Sequence, residues 1–206
     1  MEEIKKKGKF IVFEGIDGSG KSTQADRLVR YLKSKNIKAV VTNEPQSDRP
    51  VGMLIRQALK KQISFDEKTI ALLFAADRLD HIQRISEKLD EGFWVVCDRY
   101  YFSSFAYNDT AFNKEWIISV NSEAMNALKA DMTIFLDVPC DISLSRVSKR
   151  GETEIFENTK RQNRVRNNYL ELFKRFKDDE NIVVIDGNAK QNIIEKKIAD
   201  KIDELI

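Results

Sequence analysis

An α/β fold with a mainly parallel sheet is what this sequence predicts, on three observations. Short apolar runs rich in β-branched and aromatic residues recur at residues 10–13, 39–42, 94–97, 133–138 and 182–185. Segments of helix length separate them, and such alternation calls for βαβ crossovers. The runs are nearly continuous in apolar residues, as strands buried on both faces must be. A three-layer arrangement follows, with a five-stranded parallel sheet flanked by helices.

The intervening helices are read at residues 22–35, 52–61, 66–90, 114–128, 141–149, 158–177 and 191–205. In the second of these, Met53, Leu54, Ala58 and Leu59 fall on one stripe, the spacing of an amphipathic helix. Residues 44–50, 108–113 and 151–157 read as irregular, and loops leaving a parallel sheet are where ligands sit.

With 206 residues, 42% hydrophobic and 33% charged, the chain suits one compact domain spanning residues 1–206. Lys and Arg number 35 against 33 Asp and Glu, so a net charge of +2 carries no general polyanion signature and nucleic acid is not an expected partner. Cys97 and Cys140 lie inside or beside apolar runs, which points to a reduced compartment, the cytoplasm by default. Residues 1–9 are charged and no 18-residue apolar stretch occurs, so neither a signal peptide nor a membrane segment is expected.

The strongest local signal is Gly15-Ile16-Asp17-Gly18-Ser19-Gly20-Lys21-Ser22-Thr23, a G-x-x-x-x-G-K-[ST] run directly after the first strand and directly before a helix. Glycines at positive φ turn backbone N–H groups around a phosphate, and the helix adds unpaired donors and the positive end of its dipole. In that setting Lys21 bridges the β- and γ-phosphates of ATP and Ser22 ligates Mg²⁺. Trp94-Val95-Val96-Cys97-Asp98 is an apolar strand ending in a carboxylate, the form expected of a second magnesium-holding position. Residues 133–137 share that outline, but Arg99 beside Asp98 is a cation suited to phosphoryl oxygens, so Asp98 is preferred and Asp137 reads as a polar strand end or helix cap.

Three segments together resemble the thymidylate kinase family, in its order and spacing: residues 14–24, Leu73-Phe74-Ala75-Ala76-Asp77-Arg78, and residues 98–107. The resemblance extends over residues 10–186. It implies a P-loop kinase fold with a short lid, near residues 146–158, and ATP-dependent phosphorylation of dTMP to dTDP. By the same resemblance Phe74 stacks on thymine, and Arg78, one helical turn on, donates to a base carbonyl. Asp17 contacts the acceptor's 3′-hydroxyl and positions Arg99, Ser104 faces the base edge, and Tyr107 crowds the sugar 2′ position. For Phe74 the alternative is ordinary helix core, for Asp17 a loop carboxylate bonding its own backbone, and for Ser104 and Tyr107 helix packing. The family also implies a homodimer, for which the apolar helix at residues 69–89 offers a face.

Three departures stand out. Asn43 occupies a position where many members carry Arg, Gly18 one where some place a basic residue, and residues 151–157 contain no Arg. Arg146, Lys149 and Arg150 are the nearest lid cations. Arg150 is expected to supply the phosphoryl-stabilising charge, with a helix end of no catalytic duty as the alternative. His81 reads as a surface helix residue. Two further alternatives remain: a related kinase for another pyrimidine acceptor, and a nucleotide-binding switch, which the lack of an Asn-Lys-x-Asp segment disfavours.

Overall fold

A computed structural model describes residues 7–108, 114–148 and 155–206. In chain order the elements are β1 (Phe10–Glu14), α1 (Lys21–Ser34), β2 (Ala39–Asn43), α2 (Pro50–Leu59), α3 (Glu67–Asp90), β3 (Trp94–Asp98), α4 (Tyr101–Tyr107), α5 (Lys114–Val120), α6 (Ser122–Ala127), β4 (Met132–Asp137), α7 (Cys140–Ser148), α8 (Ile155–Phe176), β5 (Ile182–Asp186) and α9 (Gln191–Asp203). The five strands form one parallel sheet in the order β2-β3-β1-β4-β5. Registers Phe13↔Asp98 and Asn43↔Asp98 bring the carboxyl ends of β1, β3 and β2 level beside the glycine-rich loop, and Glu14↔Phe135 sets β4 on the other side of β1.

Alternate residues of each strand feed two separate cores, as the two-residue period of a strand dictates. Phe10, Val12, Val95, Cys97 and Phe135 pack into a cluster completed by α3, α4 and α8. Ile11, Phe13, Val96, Ile134 and Leu136 pack against α1 and α9 on the opposite face. The predicted layers are therefore present.

The strands match the sequence reading to within a residue at every end, but they extend into polar positions: Glu14, Asn43 and Asp98 still pair in the ladder. Among the helices, four points differ. The segment read as one helix over residues 114–128 breaks at Asn121, whose Nδ2 donates to the Ile117 carbonyl at 2.8 Å while its Oδ1 accepts from Arg78. The short helix α4 was not anticipated. Its first amides are capped from a distance, because Tyr100 N and Ser103 N both donate to Glu14 Oε1, at 2.9 and 3.2 Å. Residues 155–157, read as irregular, open α8, and no Gly or Pro stands between them and the rest of that helix. Pro50, read as loop, occupies the first turn of α2, where its missing N–H costs nothing. Lys149 and residues 109–113 and 151–154 of the predicted loops lie outside the described residues.

Candidate active site

The glycine-rich loop joins β1 to α1. Gly15, Gly18 and Gly20 have φ of 151°, 79° and 97°, backbone that side-chain-bearing residues rarely adopt. Ser19 N closes a turn on Ile16 O at 3.1 Å. Lys21 folds back over the loop, its Nζ donating to the carbonyls of Gly15 at 2.9 Å and Ile16 at 3.0 Å. Burial, followed by the like charge of Arg99, lowers the Lys21 ammonium to about 8, against the opposing pull of Asp98, Asp17 and Glu14. A cavity of about 860 Å³ opens above the loop, with Asp17, Gly18, Ser19, Gly20, Lys21, Ser22 and Thr23 in its wall. Gly15 and Ile16 lie beneath, as the acceptors for Lys21.

Asp98 ends β3 beside α1. Its Oδ2 accepts from Ser22 Oγ, and its Oδ1 is buried without a partner among the described residues. A hydroxyl against one carboxylate oxygen, with the second oxygen unsatisfied, suits a magnesium ion that takes its other ligands from water and phosphate. No group of three or more His, Cys, Asp or Glu suited to a metal occurs among the described residues, so a site made wholly of protein ligands is not offered there. Asp137, the rival strand end, is instead paired through both oxygens with Arg166, at 2.9 Å for Nη2.

The next residue, Arg99, has φ of 76°, strained for a side-chain-bearing residue and held by its own N–H to Phe13 O at 2.9 Å. Its guanidinium contacts Asp17, Ser103 Oγ at 3.0 Å and Tyr107 Oη at 3.3 Å. Burial acts to raise the Asp17 carboxyl, but Arg99, Lys21, the Tyr107 bond and Arg161 together hold it below the usual carboxylate range. Beneath this ensemble Glu14 accepts from Ser103 Oγ at 2.7 Å and Tyr169 Oη at 2.8 Å, besides the two amides of α4. Burial raises its carboxyl, with Ser103, Arg99, Tyr169 and Tyr100 opposing. Nothing local in the sequence marked Glu14 for this role; the one available sign was an acidic residue at the end of a buried strand.

A second cavity, of about 310 Å³, adjoins the first, and Asp17, Phe74, Arg78, Arg99, Ser104 and Tyr107 all line it. Phe74 is half-buried on the wall. Arg78 is fully buried. Nε donates to Glu44 at 2.9 Å, Nη1 to Ser104 Oγ at 3.1 Å and to Asn121, and Nη2 to Tyr100 O at 3.2 Å, while the Glu44 carboxylate lies 2.8 Å from Nη2 as its ion-pair partner. His81 is not on the surface. It is 2% exposed, with Nε2 at 2.7 Å from Thr42 Oγ1 and Nδ1 at 3.2 Å from Glu44 Oε1. A helix-surface reading overlooked Glu44, which arrives from the loop after β2 and needs buried partners on α3.

On the flank of Asn43, a third cavity of about 530 Å³ runs past Ser22, Asp98 and Arg99. Asn43 bonds Pro45 O at 3.0 Å. Besides Arg99, this wall carries Arg56 of α2, bound to the carbonyls of Pro45 and Gln46. Arg146 is likewise committed to backbone, with Nη1 at 3.3 Å from Gly18 O and Nη2 at 3.3 Å from Gly187 O. Arg150 lies outside the described residues.

A loop shaped for phosphates, a carboxylate poised for a divalent ion and an adjoining aromatic-walled cavity sharing Asp17 and Arg99 define a P-loop protein of the nucleotide kinase class. The chain belongs to the thymidylate kinase family, whose model, Thymidylate kinase, matches residues 13–198. It is 37% identical over 207 aligned positions to the thymidylate kinase of Plasmodium falciparum, covering all of this chain and 94% of that protein. It is 39% identical to the thymidylate kinase of Caldicellulosiruptor saccharolyticus, over 97% of this chain and 98% of that one. The probable thymidylate kinase of Pyrococcus horikoshii is 42% identical over 82% of this chain and 85% of its own length.

Proposed function

We propose that this chain transfers the γ-phosphoryl group of ATP to dTMP, giving ADP and dTDP, with Mg²⁺, as a step toward dTTP for DNA synthesis. The observation that carries the reading is the junction of the two cavities at Asp17 and Arg99. A triphosphate seated on the loop and a monophosphate seated against Arg99 meet there end to end. In the transfer, an oxygen of the acceptor's 5′-phosphate forms a bond to Pγ as the bond from Pγ to the β-bridging oxygen breaks, its electron pair leaving on ADP. No proton need move, since the attacking oxygen is already anionic.

The chain's residues act by holding and neutralising. Lys21 leaves its two carbonyl partners for the β- and γ-phosphates, and Arg99, preset by Asp17 and Ser103, holds the acceptor phosphate. Ser22 and Asp98 would hold Mg²⁺, which supplies charge neutralisation on the β- and γ-oxygens. Phe74 stacks on the base and Tyr107 abuts the sugar. The Nη1 donor of Arg78 now spent on Ser104 is the one available to a 4-oxo group, and it rejects the 4-amino group of cytosine.

A cytoplasmic, homodimeric protein is part of this reading. Cys97 and Cys140 are buried free thiols, and among the described residues no helix is long and apolar enough to cross a membrane. Leu72 and Leu79 are 50% and 41% exposed on one face of α3, an apolar stripe suited to a second copy. The decisive experiment is ADP release by the full chain with Mg²⁺ and ATP across dTMP, dUMP, dCMP and thymidine. The highest kcat/KM is expected with dTMP; faster turnover of dCMP or thymidine, or no transfer to any of them, defeats the proposal.

A further inference from the structure

Bringing two phosphate groups together concentrates negative charge at the junction of the cavities, and cations there are what permit transfer. The walls common to both cavities are Asp17, Leu59, Arg99, Arg161 and Gln162. Two of these are cations, and Arg99 is already tied to Asp17, Ser103 and Tyr107. Gly18 of the phosphate loop has no room for a basic side chain: a Cβ there would stand 2.3 Å from the Ser143 carbonyl of α7. Arg146 is bound to backbone carbonyls and Arg166 to Asp137.

Arg161 reaches the junction from α8 and is an exposed residue. Its place is fixed from below. Gln162, the next residue, accepts from Ser143 Oγ at 2.8 Å, and Val165, one turn on, is buried in the core. The field of Arg161 is felt across the junction, where it helps hold the Asp17 carboxyl in its charged form.

We propose that Arg161 is a catalytic residue of this kinase, its guanidinium contacting the oxygens of the phosphoryl group in flight and sharing that charge with Lys21 and Arg99. The assignment rests on the functional reading above. It supplies from the first turns of α8 the charge that the sequence led one to expect from Arg150.

The test compares Arg161→Ala, Arg161→Lys and Arg150→Ala with the parent chain, measuring kcat with dTMP, the Kd of each nucleotide by calorimetry, and rescue by guanidinium chloride. Arg161→Ala is expected to lower kcat on the order of a hundredfold, with ATP and dTMP binding little changed. Millimolar guanidinium should restore part of the rate, and Arg161→Lys should lie between the two. Normal kcat in Arg161→Ala, or a loss that appears only in KM without rescue, overturns the proposal. So does a kcat collapse with guanidinium rescue in Arg150→Ala while Arg161→Ala is unaffected. If the parent chain itself transfers nothing to dTMP, the functional reading falls and takes this proposal with it.

Discussion

Lys21 is the residue whose present state differs most from its task. Its ammonium donates to two carbonyls, and burial brings its pKa down to about 8. Phosphate binds the charged form, so ATP affinity is complete below that pH and falls as pH rises through it. The expected outcome is a kcat/KM for ATP that declines roughly tenfold per pH unit on the alkaline side; a profile flat from pH 7 to pH 9.5 contradicts it. Arg78 carries a different consequence. Removing it leaves Glu44 buried with His81 as its remaining ion-pair partner among the described residues, so Arg78→Ala should cost on the order of 3–5 kcal/mol of stability, read by urea unfolding, in addition to any effect on dTMP. The glycine and lysine positions of the phosphate loop were legible in sequence because their chemistry is contiguous. The partners of Arg78 were not, since Glu44 and Asn121 stand 34 and 43 residues away and nothing local announces them.

Among the elements, α7 and the phosphate loop are fitted to one another through Gly18. With φ of 79° and no space for a side chain, this position cannot host a basic residue. Gly18→Arg should therefore displace α7 instead of adding a useful cation, lowering stability by about 1–3 kcal/mol and reducing ATP affinity, as a thermal melt and a nucleotide titration will show. The strands were legible because a sheet buried on both faces demands unbroken apolar runs. The start of α4 was not, because its cap comes from Glu14 on another strand, and the break at Asn121 was not, because a side chain recruited by Arg78 interrupts an otherwise helical stretch.

At the scale of the molecule, the exposed face of α3 is the surface on which the proposed homodimer rests. Leu72, Ala76 and Leu79 lie at i, i+4 and i+7, and all three are exposed. A charge on that stripe, as in Leu79→Glu, should shift the proposed dimer to monomer in light scattering at micromolar concentration; a parent chain already monomeric there rejects the dimer. The parallel sheet and its layers could be read from the sequence, whereas the role of this face could not, since an apolar helix side serves a core and an interface equally well.

Glu14 joins three parts of the chain that are far apart in sequence, residue 14 at the end of β1, residues 100–103 at the head of α4 and Tyr169 in α8. The glycine-rich loop, the helix that lines the second cavity and the helix that carries Arg161 thus all meet at a single carboxylate. A displacement of any one of them is passed to the other two as a change in bond length at that one point, which makes alignment of donor and acceptor a property of one shared benchmark instead of three separate fits.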